Sequence, residues 1–263
     1  ELISDHAATN NMSGAIPSVT PALGPTVGLA VTCEMDSSTP GGSPDMDGYW
    51  RQLEQIGQMD EPVVWVVKAA GSRPDHECII GEGMPKTLFS EGCIGLVTDG
   101  GVRDVRGLLA TPFAAYCRGT VIHHDAIRIS STNQPVQVGG ITVNPGDLIH
   151  ADSEGVIKIP AGCHQALPAR ATQMQALEHD VHCFLRRTDL SVSEKRERTT
   201  DVLARYGFTQ TAAGDGHELS GSESTVSGRS NFQYTPCPGI MHGRFEQDTF
   251  RSHPSESCAF RSD

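Results

Sequence analysis

Residues 93–104 read Cys93-Ile94-Gly95-Leu96-Val97-Thr98-Asp99-Gly100-Gly101-Val102-Arg103-Asp104. A short apolar run stopped by Asp-Gly-Gly predicts a buried strand that ends in a turn. Two runs upstream have the same form, Gly28-Leu29-Ala30-Val31-Thr32-Cys33 and Pro62-Val63-Val64-Trp65-Val66-Val67. Between them Met46, Tyr49, Trp50, Leu53 and Ile56 fall on one helical stripe, which predicts an amphipathic helix turned to a core. Strand, helix, strand is the resulting order.

Downstream the period changes. Val136-Gln137-Val138-Gly139-Gly140-Ile141-Thr142-Val143 is two alternating strands around a Gly-Gly pair suited to a two-residue hairpin turn. Asn144-Pro145-Gly146-Asp147 is a tight turn, and Leu148-Ile149-His150-Ala151 against Val156-Ile157-Lys158-Ile159 predicts a second hairpin. A helix with Pro168 near its start carries Met174, Leu177, Val181, Phe184 and Leu185 on one stripe. The whole predicts mixed α/β layers over residues 1–187. Residues 188–263 are expected to be partly helical, with Val202, Leu203 and Tyr206 in helical spacing, and then mostly disordered. The Gly/Ser/Glu-rich stretch from Gly214 to Ser230 is too poor in large aliphatics to offset its ordering entropy.

Across 263 residues, 32 Asp and Glu outnumber 20 Lys and Arg, a net charge of −12. This excess argues against nucleic acid and anionic membranes as partners, since phosphate binding needs clustered cations. Any anionic substrate must be held by local positive charge: one or two arginines, a metal ion or backbone N–H groups. No apolar run approaches a bilayer span and no secretory pattern opens the chain, so a soluble, cytoplasmic protein is expected. The chain does not begin with Met, as expected of a fragment or a processed form. Eight cysteines show no C-x-x-C spacing, which disfavours a zinc site, and a disulfide framework belongs to small secreted domains.

The densest group of unusual residues is Gly81-Glu82-Gly83-Met84-Pro85-Lys86-Thr87, followed by the Asp-Gly-Gly-Val-Arg-Asp end of the decisive strand. Arg103 offers a fixed fork of donors for a carboxylate or enolate oxygen, and Asp104 a hard oxygen ligand for Mg²⁺ or Mn²⁺. Adjacent opposite charges on a loop more often cap a helix or pair on the surface. Asp75-His76-Glu77-Cys78 reads chiefly as a polar lead into a strand, with His76 a candidate for the site mouth. His123-His124 would face opposite sides of a strand and so not converge on one ion. His179 and Cys183 stand at i, i+4 without two further ligands, and Asp99 reads as a turn cap.

Glu82, twenty intervening residues, then Arg103-Asp104 resembles the signature of the RraA-like family, which includes 4-hydroxy-4-methyl-2-oxoglutarate/4-carboxy-4-hydroxy-2-oxoadipate aldolases. Ile3-Ser4-Asp5 resembles the family's opening helix and residues 28–33 its Gly-x-Ala-x-Thr strand. Residues 139–147 and 152–160 resemble its two hairpins. The resemblance implies an α-β-β-α sandwich of the swivelling (phosphohistidine-like) type, assembled as a homotrimer or hexamer with sites between subunits. It also implies a class II aldolase that uses a divalent metal, Mg²⁺ or Mn²⁺, to cleave a 4-hydroxy-2-oxo acid to pyruvate, with oxaloacetate decarboxylase activity beside it. By resemblance, Asp104 binds the metal, Glu82 holds metal-bound waters, and Arg103 contacts the keto oxygen. The backbone around Gly81, Glu82, Gly83 and Met84 receives the pyruvyl carboxylate. Two departures bear on geometry. Many members carry Asp where Glu82 stands, and the extra methylene shifts a contact by about an ångström or more. Pro85 replaces a small or apolar residue, at a first helical turn where proline is tolerated. The competing reading is a non-catalytic regulator that inhibits an endoribonuclease, a branch that generally lacks the acid after the arginine.

Overall fold

The computed structural model describes residues 10–208. The expected opening helix around Ile3-Ser4-Asp5 and the expected disordered tail after residue 208 lie outside them. The elements run β1 (Thr26–Asp36), α1 (Asp47–Ile56), β2 (Val63–Ala69), β3 (Cys78–Ile80), α2 (Met84–Ser90), β4 (Cys93–Thr98), β5 (Gly101–Val102), α3 (Val105–Ala110) and β6 (Ala114–Tyr116). Then come β7 (Arg128–Ser130), β8 (Val136–Val138), β9 (Ile141–Val143), β10 (Leu148–Asp152), β11 (Gly155–Ile159), α4 (Leu167–Leu185) and α5 (Val192–Arg205).

Seven strands form the main sheet, in the order β11-β10-β1-β2-β4-β6 with β7 also on β1. The three expected apolar runs are its centre. β1, β2 and β4 are parallel, with Val31 opposite Trp65 and Trp65 opposite Leu96. Both faces of this sheet are covered, which is why the runs are apolar without alternation. On one face Val31, Cys33, Trp65, Val67 and Leu96 pack with Tyr49, Leu53 and Ile56 of α1, Leu88 of α2 and Leu108 of α3. On the other, Ala30, Val64, Val66, Val97 and Ile149 pack with Val136, Val138, Ile141 and Val143 of the β8–β9 hairpin. That hairpin turns on Gly139 and Gly140, with φ of 60° and 87°, as the Gly-Gly pair predicts. Each fully buried large apolar side chain contributes about 1.5–3 kcal/mol.

The α1 stripe differs from expectation at one point. Trp50 is 56% exposed, while Gln52 is buried in its stead. The Gln52 amide donates to Thr32 O at 2.7 Å and accepts from Trp65 Nε1–H at 2.6 Å, so a polar residue fits the core once both ends are bonded.

The chain divides into two compact units, one through Thr172 and one from Gln173, and the division falls inside α4. In the second unit Leu177, Val181, Phe184 and Val202 form a small apolar cluster joined by Leu190, Leu203 and Tyr206. Leu185, expected on that stripe, is 42% exposed. Ser191 caps α5 in a reciprocal capping box with Glu194. No described helix is long and apolar enough to cross a membrane.

Candidate active site

β3 and β5 form a separate two-stranded parallel sheet, with Cys78 opposite Gly101 and Ile80 opposite Val102. Gly101 N donates to Glu77 O at 2.8 Å and Arg103 N to Ile80 O at 2.9 Å. Parallel pairing brings the two strands' carboxyl ends to one edge. Gly81 leaves one end and Arg103 the other, which is how segments twenty residues apart in sequence meet.

A Cβ built on Gly81 would lie 2.8 Å from both Arg103 Nε and Asp104 Oδ2, so only glycine lets these two side chains approach the loop. Arg103 Nε stands 3.4 Å from Asp104 Oδ2, and Glu82 N is 3.5 Å from the same oxygen. Arg103 Nε is buried and has no hydrogen-bond partner, so a donor remains for another acceptor. Asp104 adopts φ 56°, ψ 42° at the start of α3, a left-handed conformation that costs a non-glycine residue about 1–2 kcal/mol. It occupies the helix-capping position, one of the two roles expected of such a residue, yet its side chain makes no cap bond. The carboxylate is turned to the Gly81 loop instead. Uncompensated strain of this kind gathers at functional positions.

Glu82 lies against α3. A Cβ on Gly107 would be 2.4 Å from both Cβ and Oε2 of Glu82, so the bare backbone of α3 makes the wall on which this longer acid rests. On its other side Lys86 Nζ is 3.8 Å from Glu82 Oε1. Gly83 precedes α2, and Pro85 is buried in the helix's first turn, the position that tolerates it. Met84 O accepts from Thr87 Oγ1 at 3.0 Å and from Tyr49 Oη at 3.4 Å, which ties the loop to α1. All six residues expected at the site thus share one neighbourhood. Sequence alone assigns Lys86, Gly107 and Tyr49 no role at this site; the i, i+4 spacing of Glu82 and Lys86 is the local signal for the first of them.

Two polar groups brace this edge from behind. Asp99, expected to cap its turn, instead reaches across to β2, accepting from Ala69 N at 2.9 Å and pairing with Lys68. Glu77, expected in a polar loop, is fully buried. Its Oε1 accepts from Ser37 N at 3.1 Å and Ser38 Oγ at 2.9 Å, while Oε2 has no partner. Burial, and then the nearby Asp36 charge, push the Glu77 carboxyl above its ordinary range despite these bonds. Asp36 is also pushed up by burial, but bonds from Thr39, Arg128 and Ser38 outweigh this and hold it at about 2. Burial pushes the Cys78 and Cys117 thiols up to about 11, so neither is a nucleophile at neutral pH.

His123 is exposed and His124 half-buried, and their rings stack 6.3 Å apart rather than facing opposite ways. Cys183 Sγ lies 3.7 Å from His179 Nε2. Among the described residues no three His, Cys, Asp or Glu side chains gather into an ion cage. At the Gly81 edge the carboxylates at hand are Asp104 and Glu82, two hard oxygen groups that could hold an ion. That number suits Mg²⁺ or Mn²⁺, which keep several waters beside one or two carboxylates.

Fold and cluster together define a mixed α/β protein that presents an Arg-Asp pair and a Gly-Glu-Gly loop at one edge of a parallel strand pair. The chain belongs to the RraA-like family, whose Aldolase/RraA model matches residues 2–158. A Halalkalibacterium halodurans protein named "Putative 4-hydroxy-4-methyl-2-oxoglutarate aldolase" is 41% identical over 95 residues, 36% of this chain and 44% of that one. A Hahella chejuensis protein of the same name is 29% identical over 108 residues, 41% of this chain and 65% of that one. The matches thus span from under half to just under two thirds of these relatives. Among solved structures, an uncharacterized Pseudomonas syringae protein superposes with a TM-score of 0.56 at 20% identity, covering 74% of this chain and 88% of that one. Streptomyces coelicolor RraAS2, described as an unusual member of the RNase ES inhibitor RraA family, gives 0.53 at 22% identity, covering 68% and 87%. These likenesses establish the fold.

Proposed function

We propose that the protein is a divalent-metal-dependent carbon–carbon lyase that cleaves a 4-hydroxy-2-oxo acid to pyruvate, with oxaloacetate decarboxylation as a side reaction. Asp104 carries this reading: its residue is held in a strained backbone, its carboxylate is spared from capping, and it stands beside an Arg103 N–H that makes no hydrogen bond. Asp104 would ligate the metal and Glu82 would hold its waters. The ion, when bound, supplies Lewis acidity at the substrate's keto and carboxylate oxygens. Arg103 donates where negative charge develops on the keto oxygen as the C3–C4 bond breaks. The turn at residues 81–84 receives the carboxylate. No histidine stands in the cluster, so the 4-hydroxyl proton leaves through a water that Glu82 holds, and C3 of the pyruvate enolate is protonated in turn. The same enolate arises from oxaloacetate, by loss of carbon dioxide. We read the complete sandwich as the swivelling α-β-β-α type and its assembly as a trimer or hexamer. The retained Asp104 favours catalysis over the regulator reading.

The test is pyruvate release from 4-hydroxy-4-methyl-2-oxoglutarate, related hydroxy-oxo acids and oxaloacetate, with Mg²⁺ or Mn²⁺ and with chelator. Activity should vanish with chelator and in Asp104→Ala, which removes the proposed metal ligand, and Arg103→Ala should lose about 10²–10³-fold in kcat, the usual loss for a transition-state donor. Activity that survives chelator or either substitution sinks the mechanism.

A further inference from the structure

We propose that Lys86 is a specificity residue that pairs with the second carboxylate of a dicarboxylate substrate. This deepens the aldolase reading and rests on it.

Three observations carry the assignment. First, Lys86 extends from the first turn of α2, and helical side chains lean toward the amino terminus, so its stem lies back over the loop that precedes the helix. Its ammonium stands 3.8 Å from Glu82 Oε1, beyond hydrogen-bond length, with 62% of the side chain exposed. Exposed pairs at that separation are weak, so Lys86 can exchange Glu82 for a ligand carboxylate at little cost.

Second, apart from its 3.8 Å pair with Glu82, the fold gives no reason for a cation there. A positive charge in the first turn of a helix opposes the helix dipole, and α2 has no acidic residue in its first turn to compensate. Lys86 is locally unfavourable for the helix that bears it.

Third, the charges balance only for a dianion. Arg103, Asp104, Glu82 and Lys86 follow one another at 3.4, 3.5 and 3.8 Å, the middle step running from Asp104 Oδ2 to the Glu82 backbone N. Two positive and two negative side chains sum to zero in a chain of net charge −12. With a divalent cation bound the site would stand at +2, matched by a substrate with two carboxylates and in excess over one with a single carboxylate. Removing the Lys86 charge removes that match.

The probes are 2-oxoglutarate and 2-oxopentanoate, which differ only in a terminal carboxylate against a methyl group. Neither has a 4-hydroxyl to cleave. Titration calorimetry with Mg²⁺ present would measure both on the wild-type chain, Lys86→Met and Lys86→Arg, with pyruvate release by the wild type in parallel. The wild type should prefer 2-oxoglutarate about tenfold, the scale of one charge-assisted hydrogen bond. Lys86→Met should lose that preference and Lys86→Arg should keep it, with thermal stability undiminished in both. A wild type without the preference, or Lys86→Met retaining it, overturns the assignment while pyruvate release keeps the aldolase reading standing. A wild type that releases no pyruvate and binds neither probe ends both.

Discussion

Glu77 shows how a single side chain beside the site can be decisive yet unreadable in sequence. Within Asp75-His76-Glu77-Cys78 it looks like one more polar loop residue. Only the fold brings Ser37, Ser38 and Gly71 around it, contacts some 40 positions earlier for the serines. A Cβ on Gly71 would lie 1.9 Å from Glu77 Oε1, so the enclosure is as tight as glycine allows. Its raised carboxyl sets the sign of a pH effect. The protonated acid tolerates burial and the ionised acid does not. Its contribution to stability is therefore complete below the ordinary glutamate value of 4.5 and lost as pH rises through the folded value. Glu77→Gln is neutral at every pH. Its melting temperature relative to wild type should climb as pH rises above the ordinary glutamate value of 4.5, a window above the range in which Asp36 titrates. Thermal melts of both proteins across that range check this, and a flat or narrowing difference refutes it. The candidate acids were legible because Glu82 and Arg103-Asp104 stand at a recognisable spacing. Lys86 and Gly107 were not, since their roles depend on what α2 and α3 place beside Glu82.

The strands were readable for a reason specific to their position. β1, β2 and β4 are buried on both faces, so each reads as a continuous apolar run that no helical stripe imitates. The hairpins declared themselves through Gly-Gly and Asn-Pro-Gly-Asp turns. The α1 stripe was displaced because hydrophobicity counts Gln52 as polar and Trp50 as apolar, whereas burial follows satisfied bonds and available space. Asp99 was misjudged likewise: a cap is local, and the Lys68 contact comes from a neighbouring strand. Gln52 supplies the check at this scale. Gln52→Leu leaves Trp65 Nε1–H buried without its 2.6 Å acceptor and removes a donor to Thr32 O. Thr32 O keeps a bond from Asn133 N at 2.9 Å, so the indole bears most of the loss. Chemical denaturation should show a loss of about 1–3 kcal/mol, the cost of one buried unsatisfied donor. A variant as stable as the wild type would show that the amide bridge does not anchor α1.

For the molecule as a whole, the division inside α4 was beyond sequence reading, because a continuous helical period carries no mark where packing partners change. The charge was readable and acquires a consequence from the geometry. On the proposed reading the net charge of −12 repels an approaching dicarboxylate over long distances, while Arg103, Lys86 and a bound metal ion would attract it only at contact. Salt acts unequally on the two. Raising ionic strength from about 0.01 M to about 0.15 M shortens the Debye length from about 30 Å to about 8 Å, which removes most of the long-range repulsion. Contacts of 3.4–3.8 Å at the site are much shorter than either length and are weakened far less. The sign of the salt effect is thus opposite to that of an enzyme steered by complementary charge. For a dicarboxylate substrate kcat/KM should rise over this range, and it should rise more than for a monocarboxylate, which in the same field feels half the repulsion. Steady-state pyruvate release at a series of NaCl concentrations, with metal saturating throughout, measures both slopes. A fall in kcat/KM from the lowest salt upward would mean that local attraction already governs the approach, and that the acidic surface leaves the mouth of the site open to anions.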